Sequence, residues 1–345
     1  MRALPHRVVA EHGDRDDRPG DRVSVVFITG ANGFIARALA ARLRARGDTV
    51  TGVDLHADEA TGVIAGDVGD EGDWQDAVAG ADLVVHTAAV VSNAVGMDEQ
   101  WRVNVAGTRH VLDAAVRAGA TRFVQFSSIR AFSDLGFPDG VSEDHPVRTD
   151  GNPYVDTKIA GEQVVLQAHA EGRIAVTVVR PGDVYGPGSR PWTILPVELI
   201  RKNRFLLPAG GNGVFSPVYI DDLVDGVLLA AGKPEAAGQV FTLTGGAGVP
   251  CREFFGHYYR MLGKRGPIVA PTPVAVAVAG LMGAAIRLAT GPTEVNATSM
   301  RYFARTGTYS IDKARRLLGY QPRVDLSEGM ARTGRWLREQ GLVPA

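Results

Sequence analysis

Thr29-Gly30-Ala31-Asn32-Gly33-Phe34-Ile35 is the stretch on which the fold of this chain turns. Before it, residues 23–28 (Val-Ser-Val-Val-Phe-Ile) form a β-branched and aromatic run suited to a buried parallel strand. After it, residues 34–46 place Phe34, Ile35, Leu39 and Leu43 at helical spacing. The glycines therefore fall on a strand-to-helix turn. There Gly30 permits a left-handed backbone, Gly33 lets the chain approach a ligand without a Cβ, and the first helical amides face an anion such as a dinucleotide pyrophosphate. Glycines alone mark any turn, so the next segment matters.

A second β-like run, residues 49–53, ends at Asp54, where a nucleotide fold needs an acid to accept both ribose hydroxyls. Leu55, His56 and Ala57 follow, with neither Arg nor Lys beside the carboxylate. Such a carboxylate repels a 2′-phosphate, and the expected cofactor is NAD rather than NADP.

Strand-like runs recur at residues 83–86, 122–126 and 174–179, separated by amphipathic helical stretches at 104–118 and 154–170. This alternation predicts an α/β fold, a Rossmann-type doubly wound parallel sheet. Beyond Pro181 the order gives way to Gly- and Pro-rich loops, short helices and short strands. We accordingly expect a disordered arm over residues 1–21, an NAD-binding domain over 22–180, and a smaller substrate-binding domain over 181–345, some of whose segments return to the core. The arm is rich in Arg and Asp and lacks the apolar centre of a secretory signal.

The chain has 345 residues, 45% hydrophobic and 22% charged, enough to bury a substantial core. A formal net charge of -1 gives no electrostatic case for nucleic acid or an anionic membrane surface. The single cysteine, Cys251, precludes an internal disulfide and fits a reducing, cytoplasmic setting. The eight histidines are scattered without ligand spacing, and no metal site is expected. Residues 274–286 are apolar or small throughout and follow Thr272-Pro273, read as N-cap and first helical position. At thirteen residues this run is below the roughly 20 that span a bilayer. It reads as a packed helix of the second domain or as one that touches a membrane surface beside an apolar pocket.

Tyr154 and Lys158 carry the chemistry. Four residues apart on a helix they share a face, with Asn152-Pro153 supplying a cap and a first-turn proline. A free phenol, with a pKa of about 10, is a poor base at neutral pH. A neighbouring ammonium and a positive nicotinamide both favour phenolate. Tyr154 can then take the proton of a substrate hydroxyl as hydride leaves the same carbon. Ser128, in the run Phe126-Ser127-Ser128-Ile129 at a strand end, is the candidate for hydrogen-bonding the reacting oxygen, with Ser127 its rival.

From Val23 to its end the chain resembles the extended short-chain dehydrogenase/reductases, the group of nucleotide-sugar epimerases, dehydratases and 3β-hydroxysteroid dehydrogenase-like enzymes. The marks beyond the glycine turn are Gly66-Asp67-Val68, His86-Thr87-Ala88-Ala89, Asn104-Val105-Ala106-Gly107-Thr108, Ser127-Ser128-Ile129, Tyr154 with Lys158, Arg180-Pro181-Gly182-Asp183-Val184-Tyr185-Gly186-Pro187-Gly188, Tyr219-Ile220-Asp221-Asp222, and Lys313 through Tyr320. Ala36 replaces the usual third glycine and still allows close packing of helix on strand. The resemblance implies cofactor contacts from Gly30, Asn32, Gly33, Phe34, Ile35, Asp54, Asp67, Val68, Thr87, Ala88, Ala89, Asn104, Ser127, Tyr154, Lys158, Pro181 and Val184. It implies Ser128, Tyr154 and Lys158 as the catalytic set and a homodimer through a helix pair. Asn104 is either a fourth catalytic residue supporting a water chain to Lys158 or the cap that opens its helix.

Departures from the sugar enzymes bear on the substrate. Family dehydratases place an acidic pair after the catalytic hydroxyl residue, where Ile129 and Arg130 stand here; dehydration is not expected. Many sugar-nucleotide epimerases carry an arginine before the Asp-Asp element to clamp the diphosphate. Phe215 holds that place. With Trp192 and the apolar 274–286 run, this favours an uncharged hydrophobic, alicyclic or sterol-like alcohol or ketone. The alternative is a nucleotide-sugar 4-epimerase with tightly held NAD, its clamp supplied by Arg190, Arg201 or Arg204. A non-catalytic cofactor sensor would be expected to have lost Tyr154 and Lys158.

Overall fold

β-Branched residues alternate faces along each central strand, so two cores form back to back on one sheet. In β1 (Val25–Thr29), Val26 and Ile28 enter one core and Phe27 the other. The computed structural model describes residues 24–344 apart from 135 and 292, and the expected arm over 1–21 lies outside them. The further strands are β2 (Thr49–Asp54), β3 (Val63–Ala65), β4 (Leu83–His86), β5 (Arg122–Phe126), β6 (Ala175–Pro181) and a seventh, Gln239–Leu243. Their order is β3-β2-β1-β4-β5-β6-seventh, every neighbouring pair parallel. This is the expected doubly wound sheet. The order reverses between β1 and β4, which opens a crevice at their carboxyl ends.

On one face lies α1 (Phe34–Ala45). On the other lie α2 (Met97–Trp101), α3 (Gly107–Arg117) and α4 (Pro153–Ala170). Ala36, where the third glycine was missed, is buried in the first core. The rest of the chain contributes α5 (Leu195–Arg201), α6 (Ile220–Gly232), α7 (Cys251–Met261), α8 (Thr272–Thr290), α9 (Ala297–Ala304) and α10 (Leu326–Glu339). Of these α6 packs beside α1, and the seventh strand extends the sheet next to β6.

Two local expectations fail. The helix anticipated from residue 104 starts at Met97, and Arg102–Ala106 form a π-helical turn between α2 and α3. Asn104 thus opens no helix; the exposed Met97 and Trp101 had hidden the first turn behind a pattern without periodicity. Likewise Pro271, not Thr272, is the N-cap of α8; Thr272 is already helical and makes no capping bond.

Candidate active site

The glycine turn is shaped by its neighbours before any ligand is considered. Gly30 adopts φ +65°, and a Cβ there would lie 2.9 Å from the backbone of Ala88. At Gly33 a Cβ would press at 2.9 Å on the Gly30 carbonyl, which accepts from Gly33 N at 2.9 Å. Both glycines close the turn on itself and on the loop after β4. Helix α1 then begins with no side-chain cap and no acid in its first turn, leaving its leading amides for an anion.

The Asp54 carboxylate is fixed by the amides of Asn32 at 2.9 Å and Leu55 at 2.7 Å, and no Lys or Arg pairs with it among the described residues. Asn32 Nδ2 donates to the His56 carbonyl at 2.7 Å, tying turn to strand. Asp67 accepts from Gly69 N at 2.8 Å and pairs with Arg102 at 2.9 Å. Burial works to raise its carboxyl, but these partners outweigh it and hold it below the usual range. These residues fit NAD: amides for the pyrophosphate, an acid for the ribose, and the neighbouring loops of β3 and β4 for the remainder.

His86 sets the β4 loop. Its Nδ1 lies 2.6 Å from Thr29 Oγ1 and its Nε2 3.0 Å from Thr108 Oγ1, which itself donates to Asn104 O at 2.8 Å. Since the Thr108 proton is thus spent, its oxygen accepts from Nε2–H, and Nδ1 accepts from Thr29. Burial and then Lys158 drive the imidazole pKa down to about 3, so the ring is neutral. Thr87 Oγ1 and Ala88 N complete the knot on Thr29, at 2.7 and 3.3 Å.

On the far side of the crevice Asn152 caps α4, accepting from Tyr154 N at 3.0 Å, as its sequence position predicts. Tyr154 and Lys158 are both buried on one face of that helix, the ammonium 5.8 Å from the phenol centroid and donating to Phe126 O at 2.9 Å. Gly161, one turn further, lets α4 approach the π-turn, where a Cβ would lie 3.1 Å from Asn104 O. Asn104 itself donates to Val90 O at 3.1 Å and Thr157 Oγ1 at 3.1 Å and accepts from Val90 N at 2.8 Å. Both its amide protons are spent on the protein, so it holds the β4 loop to α4.

Geometry separates the two serines. Ser127 Oγ donates to the buried Glu162 carboxylate, which is also clasped by Arg180 at 2.8 and 2.6 Å. Ser128 accepts from Arg130 N at 3.2 Å and is the serine placed to hydrogen-bond the Tyr154 phenolate. Val68 and Val184 are buried beside these loops, Pro181 ends β6, and Ala89 leads into the Val90 loop.

A second cation besides Lys158 bears on Tyr154. Burial raises the phenol above its ordinary value, and the cation that most opposes this is Arg130. Its guanidinium lies 5.0 Å from the Tyr154 centroid and 5.1 Å from that of Tyr302. Asp134 holds it through Nε at 2.9 Å, and Asn93 through Nη2 at 3.0 Å. Lys158, desolvated, falls to about 8 with Glu162 opposing. A second buried guanidinium, Arg305, lies over Tyr302 at 3.8 Å and pairs with Asp183 at 3.3 Å; Tyr302 also donates to Asp183. Arg130 appeared in the sequence only as the residue that was not acidic. Tyr302 and Arg305 went unnoticed because the long separation from residue 154 leaves no local signal.

A parallel sheet reversing at a glycine turn, facing a buried Tyr-Lys pair, defines a dinucleotide-dependent oxidoreductase scaffold. The model of the NAD dependent epimerase/dehydratase family matches residues 26–243, and the chain belongs to that family, in its extended short-chain, 3β-hydroxysteroid dehydrogenase-like branch. It is 31% identical over 88% of its length, and 94% of the relative's, to the 4-hydroxy-2-methyl-3-oxo-4-farnesyl-3,4-dihydroquinoline-1-oxide ketoreductase of Stigmatella aurantiaca. To a 3-beta-hydroxysteroid dehydrogenase of Mycolicibacterium neoaurum it is 28% identical, over 89% of each chain. Among solved structures, MoeE5 in complex with UDP-glucose and NAD superposes with a TM-score of 0.74 at 25% identity, over 91% of this chain and 99% of that one. The protein is an NAD-dependent enzyme acting on CH–OH groups.

Proposed function

We propose that the enzyme interconverts a secondary alcohol and its ketone on an uncharged hydrophobic substrate, alicyclic or sterol-like. The observation that carries this is Phe215. The position where sugar-nucleotide enzymes keep a basic clamp is a fully buried phenyl, packed against Trp192 at 5.0 Å and Phe254 at 4.3 Å. The two guanidiniums over the Tyr302 ring are neutralised, Arg130 by Asp134 and Arg305 by Asp183, and Arg190 pairs with Glu198 at 3.7 Å. Desolvating a diphosphate here would lack compensation.

In this reading the glycine turn, Asp54 and Lys158 would hold NAD, Lys158 at the nicotinamide ribose, and the chemistry it would supply is hydride exchange with the carbinol carbon. Tyr154 Oη exchanges the proton of the substrate oxygen, and Ser128 Oγ donates to that oxygen as charge develops. Arg130 keeps the phenol within reach of ionisation. The reading carries with it a cytoplasmic homodimer, tested by light scattering on the purified protein.

The test is turnover of cyclic secondary alcohols with NAD, read as reduced-nicotinamide absorbance. Tyr154→Phe should bind NAD as before and lose about 10²–10⁴ in kcat, the usual worth of a positioned acid–base group. A second reading, the nucleotide-sugar 4-epimerase, is favoured by the likeness to MoeE5 with UDP-glucose over 99% of that chain and by a buried Arg305 Nη1 that lacks a partner. It predicts UDP-sugar interconversion without net reduction. Thermal shifts with NAD plus either class separate the two, because only a true ligand stabilises by mass action.

A further inference from the structure

Helix α8 is apolar on both sides, and among the described residues only one side is packed. Ala275 and Ala279 are buried against Met300 of α9, and at Gly283 a Cβ would strike the Val295 carbonyl at 2.1 Å, so the inner face is built from small residues for close approach. The large residues face outward. Val274, Val278, Leu281 and Leu288 are exposed, Leu281 at 74% and Leu288 at 91%, and with Ala285 they follow a 4-3-4-3 spacing. At about 100° per residue they fall within an arc of about 80°. Ile268 and Val269, just before the helix, are also exposed, so six of the eleven exposed large hydrophobic side chains among the described residues lie between 268 and 288. A helix bathed in water carries polar residues on that arc.

Charge identifies what covers it. Between Glu253 and Glu294 the chain contains no acid, yet holds Arg260, Lys264, Arg265 and Arg287, in a protein of net charge -1. Lys264 is spent on the carbonyls of Ile200 and Arg201, at 2.9 and 2.8 Å. Arg260, Arg265 and Arg287 are exposed and pair with no carboxylate among the described residues. A second copy seated on this face by a two-fold axis would bring like charges together. An anionic lipid surface supplies both the hydrocarbon for the aliphatic arc and the phosphates for the flanking guanidiniums. The 18-residue window Thr272–Ala289 has a mean hydropathy of 1.7, enough by length and composition to cross a bilayer, which corrects the sequence-based measure of 274–286 as too short. Its inner face is nonetheless committed to α9, so the helix lies along the surface rather than across it.

We propose that α8 with Ile268 and Val269 is a docking surface for anionic membranes, entered by the aliphatic arc and held by Arg265 and Arg287. The inference does not depend on which substrate is turned over. The experiment is co-sedimentation of the full-length protein with vesicles of phosphatidylcholine alone and with about 30% phosphatidylglycerol added. Wild type should bind the mixed vesicles at least about tenfold more tightly and release at high salt. Leu281→Asp with Leu288→Asp should abolish binding to both, while Arg265→Gln with Arg287→Gln should remove only the preference for phosphatidylglycerol. Unchanged stabilisation by NAD shows that each variant is folded. No sedimentation of wild type, or undiminished sedimentation of the Leu281/Leu288 variant, overturns the proposal. So does a dimer in vesicle-free buffer that the same variant converts to monomer, which would assign the arc to a second copy.

Discussion

At Tyr154 the competition is between burial, which favours the neutral phenol, and the positive charge around it. Arg130 is the largest opposing influence, so removing it should move the phenol further from neutrality. For alcohol oxidation, Arg130→Met is expected to shift the rise of kcat/KM with pH upward by about one unit or more, as for a lost neighbouring charge. Arg130→Lys should recover part of the shift. Removing the arginine alone also strands Asp134, whose charge raises the phenol further. The pair Arg130→Met/Asp134→Asn should therefore shift less than the single change. A pH profile superimposable on wild type in all three variants would leave Arg130 a packing residue only. Lys158 gives a second marker, its ammonium brought down to about 8 by desolvation.

Among the elements, α4 shows how a helix start places chemistry. The Asn152 amide oxygen accepts from Tyr154 N, and Pro153 begins the helix with its φ already set. Asn152→Ala should cost about 1 kcal/mol of stability in urea titrations and depress kcat more than KM, since the phenol rides on the first turn. An unchanged kcat with the expected loss of stability would uncouple cap from catalysis. This start was legible from Asn-Pro-Tyr alone, as were β4 and β5 to the residue, because each is specified by its own few side chains. The π-turn at Arg102–Ala106 was not. It is held by contacts of Asn104 to Val90 and Thr157, 14 and 53 residues away, and by the space at Gly161. The Tyr154-Arg130-Tyr302-Arg305 array was invisible for the same reason: cation–π partners set by tertiary packing leave no periodicity to read. Phe215 was legible as a missing charge, and only the fold gave it a place in an aromatic core.

For the molecule as a whole, His86 links acid to unfolding. It joins β1, β4 and α3 through Thr29 and Thr108, and it does so neutral, with a pKa of about 3 in the fold against 6.5 ordinarily. Between those values the unfolded chain takes up a proton that the folded one refuses. The unfolded state therefore binds more protons, and stability must fall as pH falls below about 6.5, by up to about 1.4 kcal/mol per unit from this one site. His257, also lowered by burial and by Arg260, adds in the same sense, as do Asp67 and Asp113 at lower pH. Asp183 and Asp222, raised by burial, act the other way as they take up protons. The His86 contribution is isolated by His86→Gln, whose amide offers an acceptor and a donor without titrating. Urea midpoints from about pH 8 down to about pH 4 should slope less steeply below about pH 6.5 in the variant than in wild type. The variant should be the less stable protein at pH 8 and should approach or overtake wild type toward pH 4. Parallel slopes would mean that the acid sensitivity lies in the carboxylates and that the imidazole protonates without breaking its two threonine contacts.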